Sequence, residues 1–132
     1  MKVFLDTNVL ASAAATRGLC ADVFRAVLAY HELVVSGQTI SELQRVLRDK
    51  FGVSQEYVES FVALIQQDST LAEPGELPDL ALKDTDDLEI IAAACNAGAD
   101  VLITGDKELV ALGCVGRLRV ETPREFWNEL TQ

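Results

Sequence analysis

The sequence predicts an α/β protein with a mainly parallel central sheet of four to five strands and helices on both faces. Three observations carry the prediction. Short apolar runs alternate with longer segments of helical spacing from one end of the chain to the other, the order that gives a parallel sheet covered on both sides. One helical segment, "DTDDLEIIAAACNAG", is apolar nearly all round, which suits a helix buried against a sheet. At 132 residues, 49% of them hydrophobic, the chain is long enough to bury a sizeable core as one domain spanning 1–132.

The elements follow in order. "KVFLD" reads as a buried strand, then a helix from about Asn8 and a turn at "TRG". "LCADVFRAVLAY" spaces Val23, Val27 and Tyr30 as a helix does. "ELVVS" is a second strand, broken by Gly37. "TISELQRVLRDKF" is an amphipathic helix with Ile40, Leu43, Leu47 and Phe51 on one face, stopped by Gly52. Ser54 caps the next helix, "SQEYVESFVALIQQD", and Pro74, Gly75 and Pro78 mark a long loop. The apolar helix stops at Gly98. "DVLIT" is a third strand, "DKELVAL" a short helix and "LRV" a fourth strand. The last helix starts with Thr122 as cap, Pro123 at its first position and Glu125 closing a capping box.

Composition narrows the function. Twenty-one carboxylates oppose eleven Lys and Arg, a net charge of −10, so nucleic acid could be bound only through a local basic strip or through metal ions that neutralise carboxylates, and divalent cations or a basic partner are the simpler inference. Cys20, Cys95 and Cys114 form no CxxC pair and point to reduced thiols in the cytoplasm. A single histidine, His31, argues against zinc and against a histidine base. Asp6 interrupts the first apolar run, unlike a signal peptide. The longest apolar stretch, broken at Asn96 and Asp100, is too short to cross a membrane.

Placed on the predicted topology, the acids converge. Ligands of parallel sheets bind at the carboxyl ends of the strands, where the following helices begin. Asp6 ends the first strand, Glu42 lies early in the helix after the second, Asp86 and Asp87 open the buried helix, and Asp106 follows the third strand. Each has a plainer explanation. Asp6 and Asp106 suit helix caps, Glu42 a capping box with Thr39, and Asp84, Asp86 and Asp87 the positive end of a helix dipole. Those explanations leave the sum unexplained, because gathered like charges repel and raise one another's pKa. A hard divalent cation removes that penalty, and oxygen-only ligands suit Mg2+ or Mn2+.

In the stretches "VFLDTNVL", "SELQRVL", "DTDDLEIIAAACNAGADVLITGDKELVAL" and "TPREFW", the chain resembles the PIN-domain family, and most of all the VapC-like toxin components of toxin–antitoxin pairs. The resemblance runs over essentially the whole chain in the expected order. It implies a three-layer α/β/α fold and a metal-dependent ribonuclease acting on single-stranded RNA. Its acidic site would be Asp6, Glu42, one aspartate of "DTDD" and Asp106, with Asn8 and Thr104 in support. Asp87 is favoured because it immediately precedes the buried helix as the family's acid does; Asp84 and Asp86 stay open.

The chemistry is phosphodiester hydrolysis by metal-activated water, and Arg45, Arg48, Lys50 and Lys107 are candidates for contacts to the RNA backbone. The resemblance further implies a small antitoxin that covers the acidic edge with a basic side chain, and self-association of the nuclease. Two other readings compete: a magnesium-dependent phosphoacceptor domain, with Lys107 over an aspartate, and a PIN-like protein that mainly binds a partner.

Overall fold

A computed structural model describes residues 1–132. Its elements are β1 (Lys2–Leu5), α1 (Thr7–Ala15), α2 (Leu19–Tyr30), β2 (Glu32–Ser36), α3 (Gly37–Asp49), α4 (Gln55–Gln67) and β3 (Ser69–Ala72), then α5 (Thr85–Asn96), β4 (Val101–Ile103), α6 (Lys107–Val110), β5 (Cys114–Val115), β6 (Leu118–Glu121) and α7 (Pro123–Leu130). One sheet runs in the order β3-β2-β1-β4-β6-β5. Every pairing is parallel except the β5–β6 hairpin.

The sheet therefore has six strands, not four to five. β3 and β5 escape a reading of apolar runs for physical reasons. "STLA" is an edge strand with Thr70 and Leu71 exposed, so it lacks the apolar signature of a central strand. β5 is two residues long and pairs back onto β6 across Gly116, whose φ of 59° suits glycine.

β1 holds the centre, and the chain leaves it in both directions. Crossovers from β1 to β2 and from β2 to β3 carry α1–α4, while the return from β3 to β4 carries α5. Connections between parallel strands are right-handed, so travel in opposite directions puts the helices on opposite faces. Val3, Leu5, Val35 and Ile103 face α1–α4 and α7; Phe4, Val34, Leu102 and Val120 face α5 and α6. Ile90–Ala94 of α5 are all buried, as its nearly continuous apolar surface requires. On the other face, Phe126 is fully buried and docks α7; truncating it to Ala would cost about 3–5 kcal/mol.

Helix ends follow local chemistry. Ser36 caps α3 by accepting from Thr39 N, so Gly37 begins the helix instead of breaking the chain. The same cap displaces the expected Thr39–Glu42 capping box. α3 closes at Asp49, which leaves Phe51 outside it and 36% exposed. The capping box of Thr122 and Glu125 and the stop at Gly98, with φ 70°, form as the residues dictate.

Candidate functional site

The chain reverses its direction of travel between β1 and β4, and a crevice opens there at the carboxyl ends of the strands. Asp6 follows β1 directly and is 8% exposed. It caps α1 and faces the crevice at once: its Oδ1 accepts from Thr7 N at 2.8 Å, and its Oδ2 accepts from the Thr104 hydroxyl at 2.7 Å. Thr104, fully buried beyond β4, also accepts from Asp106 N at 3.0 Å. One hydroxyl thus ties together the ends of two adjacent strands.

Glu42 arrives from the second turn of α3. Its Oε2 accepts from the Thr7 hydroxyl at 3.0 Å, and Gln38 Nε2 stands 3.4 Å from its Oε1. The same Gln38 nitrogen is 3.4 Å from the Asp86 carbonyl oxygen, spanning α3 and α5. Asp84 caps α5 through Asp86 N at 2.9 Å, and Asp106 caps α6 through Glu108 N at 2.8 Å. The capping explanation holds for Asp6, Asp84 and Asp106 but not for Glu42, and capping does not keep these residues from sharing one cleft. Each cap occupies one carboxylate oxygen and leaves the residue at the rim.

Asp6, Asn8, Glu42, Arg45, Asp84, Asp86, Asp87 and Asp106 all line one cleft of about 290 Å³, together with Thr7, Val46 and Ile90. Six carboxylates share it with one guanidinium. Arg48 lies a turn further along α3, where its Nε bonds its own helix at Gln44 O, and neither it, Lys50 nor Lys107 lines the cleft. Thr7 and Gln38 were not singled out in the sequence. Thr7 sits inside "DTN", where its polarity suits a turn, and nothing in "GQTI" marks Gln38 as bridging two helices.

The electrostatics are those of crowded like charges. Burial raises the Asp6 carboxyl above the usual range and its neighbours Glu42 and Asp106 push the same way, against the hydrogen bonds from Thr104 and Thr7. Asp87 is pushed up to about 6, first by burial and then by Asp106, Asp84, Asp6 and Glu108. No group of three acidic, histidine or cysteine side chains stands arranged to clasp a metal ion. The donor set nevertheless fits a hard cation by its chemistry. It offers six carboxylates beside the polar side chains of Thr7 and Asn8, with no histidine or cysteine, and the carboxylates are held in one another's field with only Arg45 lining the cleft to offset them.

The PIN domain family profile matches residues 2–108. No curated protein matches by sequence. Among solved structures, the chain is similar to PAE2754 from Pyrobaculum aerophilum, with 16% identity, 99% of this chain and 96% of that one covered and a TM-score of 0.67. It is similar to VapC20 of Mycobacterium tuberculosis, a toxin that cleaves the sarcin-ricin loop, at 14% identity, with 89% and 98% covered and a TM-score of 0.64. It is also similar to a chain of VapBC2 from Rickettsia felis, solved bound to a DNA fragment from its promoter, at 15% identity, with 92% and 98% covered and a TM-score of 0.63. Likeness at this identity establishes the three-layer α/β/α fold, and the profile match over residues 2–108 establishes the family: this chain belongs to the PIN domain family.

Proposed function

We propose that residues 1–132 act as one domain, a metal-dependent endoribonuclease that hydrolyses phosphodiester bonds in single-stranded RNA in the cytoplasm, as the toxin of a toxin–antitoxin pair. The observation that carries this reading is convergence. Asp6, Glu42, Asp87 and Asp106 come from four separate elements and line one cleft at the switch point of the sheet. VapC20, a toxin of similar fold that cleaves RNA, supports the substrate class.

In this reading Asp6, Glu42, Asp87 and Asp106 hold Mg2+ or Mn2+. When bound, the cation supplies an activated water and positive charge for the phosphate. The chain's own residues position and orient. Thr104 and Thr7 fix the Asp6 carboxylate through both oxygens, and Thr7 fixes Glu42 with its hydroxyl. Arg45, at the cleft wall, contacts a phosphate of the RNA backbone. The phosphoacceptor reading loses ground because it needs a lysine over the aspartate, and no lysine lines the cleft.

An antitoxin would cover the acidic edge with an arginine or lysine that pairs with these carboxylates, its affinity falling as salt or Mg2+ rises. Self-association of the nuclease through another face belongs to the same reading. No helix is long and apolar enough to cross a membrane.

The deciding experiment measures cleavage of single-stranded RNA with Mg2+ or Mn2+, with chelator, and by Asp6→Asn, alongside calorimetry of metal binding. Cleavage that needs metal and Asp6 is expected. Cleavage unaffected by chelator or by Asp6→Asn would remove the site assignment, and absent metal binding would remove the metal.

A further inference from the structure

A second cavity, of about 500 Å³, adjoins the acid cleft on the side of β3. Gln38 is the partition. It lines this cavity while its amide reaches Glu42 and the Asp86 carbonyl on the other side. One wall is the end of β2 and the start of α3. The other is the chain that leaves β3, which is anchored twice against α5. Asn96 Nδ2 donates to Glu73 O at 3.1 Å, and Gly75 approaches so closely that a Cβ there would sit 2.8 Å from Ala92 O. The cavity is therefore formed in advance.

Its lining has a distinct chemistry. Leu71 and Leu77 flank it at 54% and 53% exposure, two of only seven large hydrophobics that the chain leaves in solvent. Exposed aliphatic side chains gathered at a concave site mark a binding surface more than chance does. The polar side chains are the carboxylates of Glu73 and Glu89, the amide of Gln38 and the Ser36 hydroxyl, the last engaged with Thr39, and no Lys, Arg or His lines the cavity. A phosphate is repelled here. A flat, uncharged ring that presents N–H donors is accepted, since carboxylates only accept hydrogen bonds.

We propose that this cavity binds the nucleobase next to the scissile phosphate and prefers guanine. The proposal rests on the nuclease reading for its biological setting: a nucleotide whose phosphate lies at the carboxylates presents its base one sugar away, across Gln38. Guanine sets two adjacent donors, N1–H and the N2 amino group, against one carboxylate. Adenine and cytosine offer an amino group beside an acceptor, and uracil offers one N–H between two carbonyls that a carboxylate repels. Leu71 and Leu77 supply apolar surface for the ring. Splayed single-stranded bases are read in this way, by apolar stacking and by hydrogen bonds to the Watson–Crick edge.

The test uses nucleosides, which carry no phosphate, and the full chain in chelator, so that it depends on neither metal nor cleavage. Guanosine, adenosine, cytidine and uridine are titrated while the methyl resonances of Leu71 and Leu77 are followed by NMR. Guanosine should shift both at millimolar concentration and uridine neither. Glu73→Gln or Glu89→Gln should weaken guanosine roughly tenfold, and Leu77→Ala, at a half-exposed position, should weaken it without unfolding the chain.

No shift with any nucleoside, or equal shifts with all four, overturns the proposal. So does a response confined to a basic, leucine-containing peptide, which would make the cavity a protein-docking site. Parallel cleavage assays separate the two readings. A chain that cuts RNA but ignores guanosine keeps the nuclease and loses the subsite, whereas one that binds guanosine without cutting keeps the subsite and loses the nuclease.

Discussion

Two carboxylate clusters stand on either side of β4, one in the open cleft around Asp6 and the other beneath α7 around Glu121. Both hold carboxyls well above their ordinary range, Asp87 at about 6 and Glu121 at about 7, and burial is the first cause in each. They differ in what answers the charge. Glu121 is 7% exposed, and its Oε1 meets no hydrogen-bond donor. Arg119 lies 3.8 Å from it and 3.9 Å from Glu129. Glu129 stands beside Glu121 and raises its carboxyl further, while Arg119 lowers it. The remaining neighbour, Glu125, is engaged with Thr122 N. That cluster is closed by a helix and answered by an arginine. The cleft is open and has only Arg45. A raised carboxyl thus marks burial among like charges, and access decides whether the charge is available to a ligand.

The largest expected difference between the clusters is catalytic. Asp6→Asn should lower metal-dependent RNA cleavage by on the order of 100-fold or more, with the fold intact by circular dichroism, while Glu121→Gln cleaves at the parental rate. Equal losses would erase the distinction. Thr104→Val should come next, roughly 10–100-fold, because it frees one oxygen of Asp6 and the amide of Asp106 while leaving every proposed ligand in the chain. Within "DTDD", Asp87→Asn should weaken Mg2+ binding in calorimetry more than Asp86→Asn, since successive helical residues point about 100° apart. The reverse order would move the site by one residue.

The smallest effect is on stability, and its sign is fixed. A carboxyl whose pKa is raised by folding makes the native state bind more protons than the unfolded chain between the two pKa values. Stability is therefore greatest below the unfolded value and falls as pH rises through the folded one. In chelator, the melting temperature should fall by several degrees between about pH 4 and 7 and then level. Glu121→Gln should flatten the upper part of that range and Asp87→Asn the lower. Added Mg2+ should remove the part due to the cleft, that of Asp87 and Asp6, and leave that of Glu121, because it displaces protons from the open cleft alone.

Much of this was legible in the residues. β1, β2, β4 and β6 are apolar runs, and α2, α4 and α7 announce themselves by spacing and caps. The acids could be placed because each follows a strand or opens a helix, and topology does the rest. What could not be read is long-range or weakly apolar. β3 is exposed at the sheet edge. Ser36, not Thr39, wins the cap of α3, and that frees Glu42 to meet Thr7. Arg48 and Lys107 share the chemistry of Arg45 but not its position: Arg48 sits a turn further along α3, and neither side chain lines the cleft. Gln38 matters only because α3 and α5 come together there, a fact of packing that no local pattern records.

The bond between Thr104 and Asp6 spans 98 residues of chain. During synthesis the first strand is made long before its neighbour β4, and Asp106 comes later still. A nascent chain holding β1, β2 and β3 already carries Asp6 and Glu42, but the crevice has only one side until β4 pairs with β1. The distance along the chain thus acts as a clock, delaying the assembled acidic cleft until β4 and Asp106 have been made and leaving chains that stop short of β4 without it.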